Sequence, residues 1–173
     1  MKFKFFLRFF IISIIYCVIT IGSIPAADFK IRATANSNEN DEDYDGLVVF
    51  KNFVESASNG AISVELFIGT QLCSKGAECL QGIADGSIDI YISTSGGAAG
   101  IFPYVQVLDL PYLMSSDRIA EHVLAGDFTR KIRELALADS NGKIRLMTIG
   151  HTGGWRNFAN TKRPVKQPSD MKR

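Results

Sequence analysis

Arg156 stands beside Trp155 and two residues before Phe158, in a stretch from His151 to Arg173 that reads HTGGWRNFANTKRPVKQPSDMKR and holds the only tryptophan. A guanidinium fork set against aromatic walls binds a carboxylate through two parallel hydrogen bonds, which a lysine cannot reproduce. Gly153 and Gly154 would let a backbone approach closely. Taken alone, the same arginine also reads as half of a surface ion pair.

Other reactive residue types are present without a catalytic pattern. His122 falls in a helical stretch next to Glu121, and His151 follows a strand-like stretch with no cysteine or paired carboxylate near it in sequence. Two isolated histidines do not make a metal site, so neither metal nor cofactor is expected. The run Ser93, Thr94, Ser95, Gly96, Gly97, Ala98, Ala99, Gly100 lacks the Lys-Ser or Lys-Thr of a phosphate-cradling loop and the glycine-flanked serine of a nucleophile elbow. It reads either as a ligand-facing loop or as a plain connector. Cys73 and Cys79 are too close together for paired CxxC zinc ligands. In an exported chain they read as a disulfide, the alternative being two separately buried thiols.

These residues must be positioned by regular elements. Phe29 to Ala33 alternates as a short strand, and a polar loop from Asn36 to Asp45 follows it. Tyr44, Leu47, Val48, Phe50, Phe53, Val54 and Ala57 then recur at helical steps behind an acidic start and stop at Asn59 and Gly60. Ile62, Val64, Leu66 and Ile68 predict a second strand. Ala77, Leu80, Ile83 and Ala84 predict a helix closed by Gly86, and Ile88, Ile90 and Ile92 a third strand. Strand, helix, strand, helix, strand at these lengths predicts parallel pairing with right-handed crossovers. The Ser93–Gly100 loop then falls at a strand's C-terminal edge, where open α/β sheets bind ligands. Val105 to Met114 reads as an irregular, core-filling segment. Helices are expected through Ile119 to Leu124 and Phe128 to Leu137, the first capped by Ser116 and Asp117, with a further strand at Ile144, Leu146 and Ile149.

Composition sets outer limits. Hydrophobic residues make up 46% of the 173, enough for a core and too many for a disordered chain. Lys2, Lys4 and Arg8 precede an apolar stretch from Phe9 to Ile21 and the small pair Ala26 and Ala27, the layout of a cleavable signal peptide over residues 1–27. The alternative, a membrane anchor, is disfavoured because the apolar run is shorter than the ~20 residues a spanning helix needs. Cys17 follows the bulky Tyr16, unlike a lipoprotein site, and leaves with the signal. Three of the 19 basic residues leave too, so 16 face 18 acidic ones in the mature chain, a balance that excludes a nucleic-acid partner.

In this order, GAISVELFIGTQL, LQGIADGSIDIYIST, PYVQVLDLPYLM and above all GGWRNFANTKRPVKQPSDMK resemble the DctP-like solute receptors of tripartite ATP-independent periplasmic (TRAP) transporters, across essentially all of the mature chain. The resemblance implies a two-domain, flytrap-like periplasmic protein. Such a receptor captures organic acids and hands them to a pair of membrane subunits driven by an ion gradient, and is not an enzyme. Arg156 matches one of the family's carboxylate-binding arginines, where the chain crosses between domains. The family continues past Lys172 with a Gly-x-Lys-x-Arg stretch whose arginine is the principal clamp. This chain has Arg173 where that glycine stands, so no clamp role passes to Arg173.

The expected architecture is thus an open α/β sheet of the periplasmic-binding-protein kind with helices on both faces. Residues 28–150 form its N-terminal lobe, residues 151–173 cross toward a second lobe, and the second lobe is truncated. The expected ligand is a small carboxylate, held by Arg156 and Trp155 and lined by Asn36, Ser37, Ser93, Thr94 and Ser95. Two other readings are an inert truncated product and an exported hydrolase using a serine of the STSGG loop.

Overall fold

A computed structural model describes residues 27–151, 154 and 159–171. The leader, Trp155 and Arg156 fall outside them. Three parallel strands, β1 (Phe29–Ala35), β2 (Ile62–Ile68) and β3 (Ile90–Ile92), are ordered β2-β1-β3. Ala33 lies opposite Leu66 on one side and Ile90 on the other, and Ala35 opposite Ile68 and Ile92. That register puts the alternating apolar residues of all three strands on one face.

Helix α1 (Glu42–Ala57) covers this face, Leu47, Phe50 and Val54 packing on Ala33, Ala35 and Val64. Its acidic first turn suits the positive end of the helix dipole. Phe53, expected inside, is 71% exposed, because it points off the stripe that Leu47 and Val54 define. The opposite face carries Tyr91, which packs with Leu72, Cys73, Cys79, Ile83 and Ile88 under α2 (Gly76–Asp85). Gly86 ends α2 at a positive φ of 82°, a conformation that suits glycine. Helices therefore lie on both faces of the sheet.

A third cluster joins Leu80 of α2 to Phe102, Val105, Ile132, Ala136 and Ile144, tying in α5 (Asp127–Asp139) behind α4 (Asp117–Leu124). Ser116 caps α4 by accepting from the Ile119 N–H at 3.4 Å.

Four further expectations are corrected. Ser95–Ala98 is not loop but a helical turn, α3, because the Thr94 hydroxyl accepts the Gly97 N–H at 3.0 Å and the small residues allow tight winding. Pro103–Asp109 is a 3-10 helix in which Val105 is buried, but Leu110, Tyr112 and Leu113 that follow are exposed. Proline at 111 interrupts any repeat that would turn them all inward. Ile88 packs beside the cysteines ahead of the β3 ladder. Ile144 to Ile149 forms no strand. Ile144, Leu146 and Ile149 pack on the α5 cluster, but the backbone is engaged by side chains: Ser140 Oγ accepts from Ile144 N–H at 3.0 Å, and Arg133 Nε donates to the Leu146 carbonyl at 3.1 Å.

Candidate functional site

The parallel register brings three strand ends together. Ala35, Ile68 and Ile92 are paired neighbours, so Asn36, Gly69 and Ser93 emerge side by side at the C-terminal edge of the sheet. The start of α1 lies over the same edge, a Cβ on Gly46 coming 3.9 Å from Ile92 Cδ1. Thus Asn36 and Ser37 share an edge with Ser93, Thr94 and Ser95, although 57 residues separate the ends of β1 and β3. Trp155 and Arg156 lie outside the described residues.

Most polar groups at this edge already have work inside the protein. Asn36 Nδ2 donates to the Cys73 carbonyl at 3.0 Å and to that of Gly69 at 3.5 Å, while its Oδ1 accepts from the Tyr91 hydroxyl at 2.5 Å. Ser93 Oγ donates to the Thr94 carbonyl at 3.0 Å, and Thr94 caps α3. Ser95 Oγ donates to Asp109 Oδ1 at 2.6 Å, which ties α3 to the 3-10 helix. Ser37 differs: its Oγ is sealed from solvent without a hydrogen bond of good geometry among the described residues. It lies near enough to the Asp43 carboxylate to favour its ionised form slightly.

Two charged or titratable residues at this edge escaped the sequence reading. Burial, then repulsion from Asp41 and Glu42, raises the Asp43 carboxyl above the usual aspartate value. Burial also raises the Tyr91 phenol, with Ser93 opposing and Asp43 adding to the rise. The signal for Tyr91 was its parity: between Ile90 and Ile92 it faces away from α1, and a half-buried phenol favours a partner for its hydroxyl. Asp43 read as an ordinary helix-start acid.

The glycines of this region have a packing reason. A Cβ on Gly76, at the start of α2, would sit 2.7 Å from Gly97 Cα, so α2 and α3 meet backbone to backbone. The small-residue run is shaped by that contact as well as by any ligand.

Cys73 and Cys79 are joined as a disulfide with Cα atoms 5.2 Å apart, and both are buried. The bond closes the loop that Asn36 grips. Glu78 tightens it by accepting from Ser74 N–H and Oγ, both at 2.8 Å, which holds the Glu78 carboxyl below its usual value.

An open groove of about 410 Å³ lies away from the sheet edge, between the α4–α5 turn and Met147–Thr148. Its cations are committed, Arg130 to Asp127 and Glu134 and Arg133 to the Leu146 carbonyl. The strand edge is the candidate site because strand ends, a helix start and partly covered polar side chains converge there. Among the described residues no group of His, Cys, Asp and Glu is arranged to hold a metal.

Residues 33–173 match the family described as bacterial extracellular solute-binding protein, family 7, or DctP. The 2,3-diketo-L-gulonate-binding periplasmic protein YiaO of Escherichia coli K12 is 27% identical over 143 residues, which are 83% of this chain and 42% of YiaO. A solute-binding protein of Verminephrobacter eiseniae is 26% identical over 147 residues, 85% of this chain and 42% of the relative. The chain therefore spans well under half the length of either. Among solved structures, a TRAP periplasmic solute-binding protein of Roseobacter denitrificans with bound L-galactonate superposes with a TM-score of 0.61 at 20% identity, over 67% of this chain and 38% of that one. The sugar acid binding protein DctPAm of Advenella mimigardefordensis, in complex with galactonate, does so with a TM-score of 0.61 at 22% identity, over 66% and 37%. These likenesses establish the fold. The family match runs from within β1 to the last residue, and the chain belongs to the DctP family, bacterial extracellular solute-binding protein family 7.

Proposed function

We propose that this chain forms the N-terminal lobe of an extracytoplasmic TRAP receptor that captures a small organic acid and delivers it to the transporter's membrane subunits without chemical change. The carrying observation is the gathering of Asn36, Ser37, Asp43, Tyr91 and Ser93–Ser95 at one sheet edge, in a family whose solved members include complexes with galactonate and with succinate. Arg156 supplies the bidentate carboxylate contact and Trp155 an aromatic wall. Export follows from the charged and apolar leader over residues 1–27, with the mature chain beginning near Asp28. No described helix is long and apolar enough to cross a membrane.

A receptor of this kind gains affinity by enclosing its ligand, since small-molecule sites bury ~70 to 90% of the ligand surface. An ion pair at Arg156 in an open groove contributes only about 0 to 1 kcal/mol, less than the entropy lost on binding. Calorimetry is therefore expected to find no micromolar organic-acid binding by residues 28–173 alone. Joined to the C-terminal portion of YiaO, the same residues should bind, and Arg156→Ala should then weaken binding by ~30-fold, the effect of truncating one partner of an enclosed charge pair. Micromolar affinity from the monomeric chain alone would refute the enclosure account, and an unchanged affinity on Arg156→Ala would refute the arginine's role.

A further inference from the structure

We infer that Asn36 is a positioning residue of the strand-edge site: one carboxamide locks the Tyr91 phenol and the loop 69–75, which carries Cys73, to the end of β1, so this wall is set before any ligand arrives. The inference rests on the reading of that edge as the ligand wall. An amide offers two N–H donors and two acceptor lone pairs. At Asn36 the donors go to Cys73 and Gly69 carbonyls and one lone pair to Tyr91. Its Oδ1 also lies 3.5 Å from the Cys79 sulfur, which, being in a disulfide, has no proton to give. A ligand that drew on the Asn36 N–H donors would have to break one of these contacts, and only the second lone pair of Oδ1 is left over.

The geometry makes the three partners a single unit. Gly69 ends β2, Cys73 lies in the following loop, and Tyr91 sits in β3, so one side chain spans the ends of all three strands. The disulfide fastens the gripped loop to α2, with Cys73 and Cys79 only 3% and 0% exposed. Thiol attack on that bond therefore needs the loop to open, and its reduction rate reports how firmly Asn36 holds it. Tyr91 gives a second readout, since a phenol donating to Oδ1 is held in its protonated form. A wall fixed in advance spares a ligand the ordering cost of building it.

Two substitutions in the full chain separate the two arms. Asn36→Asp keeps an acceptor for Tyr91 but loses the donors to Cys73 and Gly69. It should speed reduction of Cys73–Cys79 by dithiothreitol about fivefold, the equivalent of one net hydrogen bond, while Tyr91 titrates higher than in the parent because a negative charge has been added. Asn36→Ala loses both arms, so reduction should speed up and Tyr91 should titrate lower. Carbon-13 NMR of labelled tyrosine, with Tyr91→Phe to assign the signal, reads the phenol. Val54→Ala, in the α1 cluster, which includes neither Tyr91 nor the cysteines, is the stability control and should move neither readout. The inference is overturned if Asn36→Ala leaves both readouts at parent values, or if Val54→Ala moves them as far. Should Asn36→Ala fail to fold, an unchanged reduction rate in Asn36→Asp overturns it by itself. Neither readout needs a ligand, so a failure of carboxylate binding would count against the receptor reading alone.

Discussion

Two stretches of this chain carry similar apolar spacing and reach different states. Ile62 to Ile68 is paired with β1 through seven registers and covered by α1. Ile144 to Ile149 turns Ile144, Leu146 and Ile149 onto the α5 cluster but has no ladder, and its backbone is held by Ser140 and Arg133. Apolar alternation decides which face is buried, whereas strand formation also needs a neighbour to accept the backbone. The β1–β3 unit therefore holds itself together through contacts far apart in sequence, and the stretch beyond α5 mainly borrows the surface of α5.

The sharpest way to break this contrast is to remove equivalent bulk from each region. Leu47 is 2% exposed between α1 and the sheet, and Leu47→Ala should cost about 2 to 5 kcal/mol through lost burial and the cavity left behind. Met147 is 68% exposed in the second stretch, so Met147→Ala should stay within about 0.5 kcal/mol. Urea unfolding followed by circular dichroism measures both. Comparable losses would mean that the two regions form one cooperative core.

The next effect is steric. Gly76→Ala forces a methyl into the Gly97 backbone and should cost about 1 to 3 kcal/mol as an overpacking change. Gly150→Ala meets nothing within 4 Å and should shift the unfolding midpoint hardly at all. An unshifted midpoint for Gly76→Ala would show that α2 and α3 can separate freely, removing the packing explanation of the small-residue run.

This contrast also explains what could be read from sequence. The order and faces of β1, α1, β2 and α2 follow from local period, the acidic start of α1 and glycine stops, and Ile90 and Ile92 from the same alternation. What escaped depends on partners distant in the chain. Nothing near Ser95 announces that its hydroxyl binds Asp109, and nothing near Gly76 announces Gly97. Asn36 and Ser93 could be nominated because topology sends strand ends to one edge. That Asn36 is occupied by Tyr91 and Cys73 is a matter of register, which the residues before and after it do not encode. Phe53 and Tyr112 fit apolar patterns by type, but burial depends on the surface each one meets.

The smallest expected effect concerns acid, and it compares carboxylates held by near and far partners. Asp89 is held below its usual value chiefly by the Arg32 side chain, whose Nε lies 2.9 Å away, and also by the Arg32 backbone N–H at 2.7 Å. Asp170 is likewise lowered, by the N–H groups of Lys166 and Gln167, only four and three residues away. A carboxyl lowered on folding contributes stability that is complete above its unfolded value and fades as pH falls through the folded value. For Asp89 the partner is 57 residues distant, so losing the charge loosens β1 from the entry to β3 and belongs to global unfolding. For Asp170 the contacts can open within their own turn, and the global transition need not register it. Asp43 has the opposite sign: its raised carboxyl favours the folded state below the ordinary aspartate value, and that contribution is lost as pH rises through the raised value. Asp89→Asn should therefore reduce the loss of stability between neutral pH and about pH 3. Asp43→Asn should raise stability slightly at neutral pH, and Asp170→Asn should leave the urea midpoint unchanged across the range. Urea midpoints of the three variants against pH measure this. An Asp170→Asn profile as altered as that of Asp89→Asn would show the 166–170 turn to be coupled to the sheet, and the division drawn between the two regions would fail.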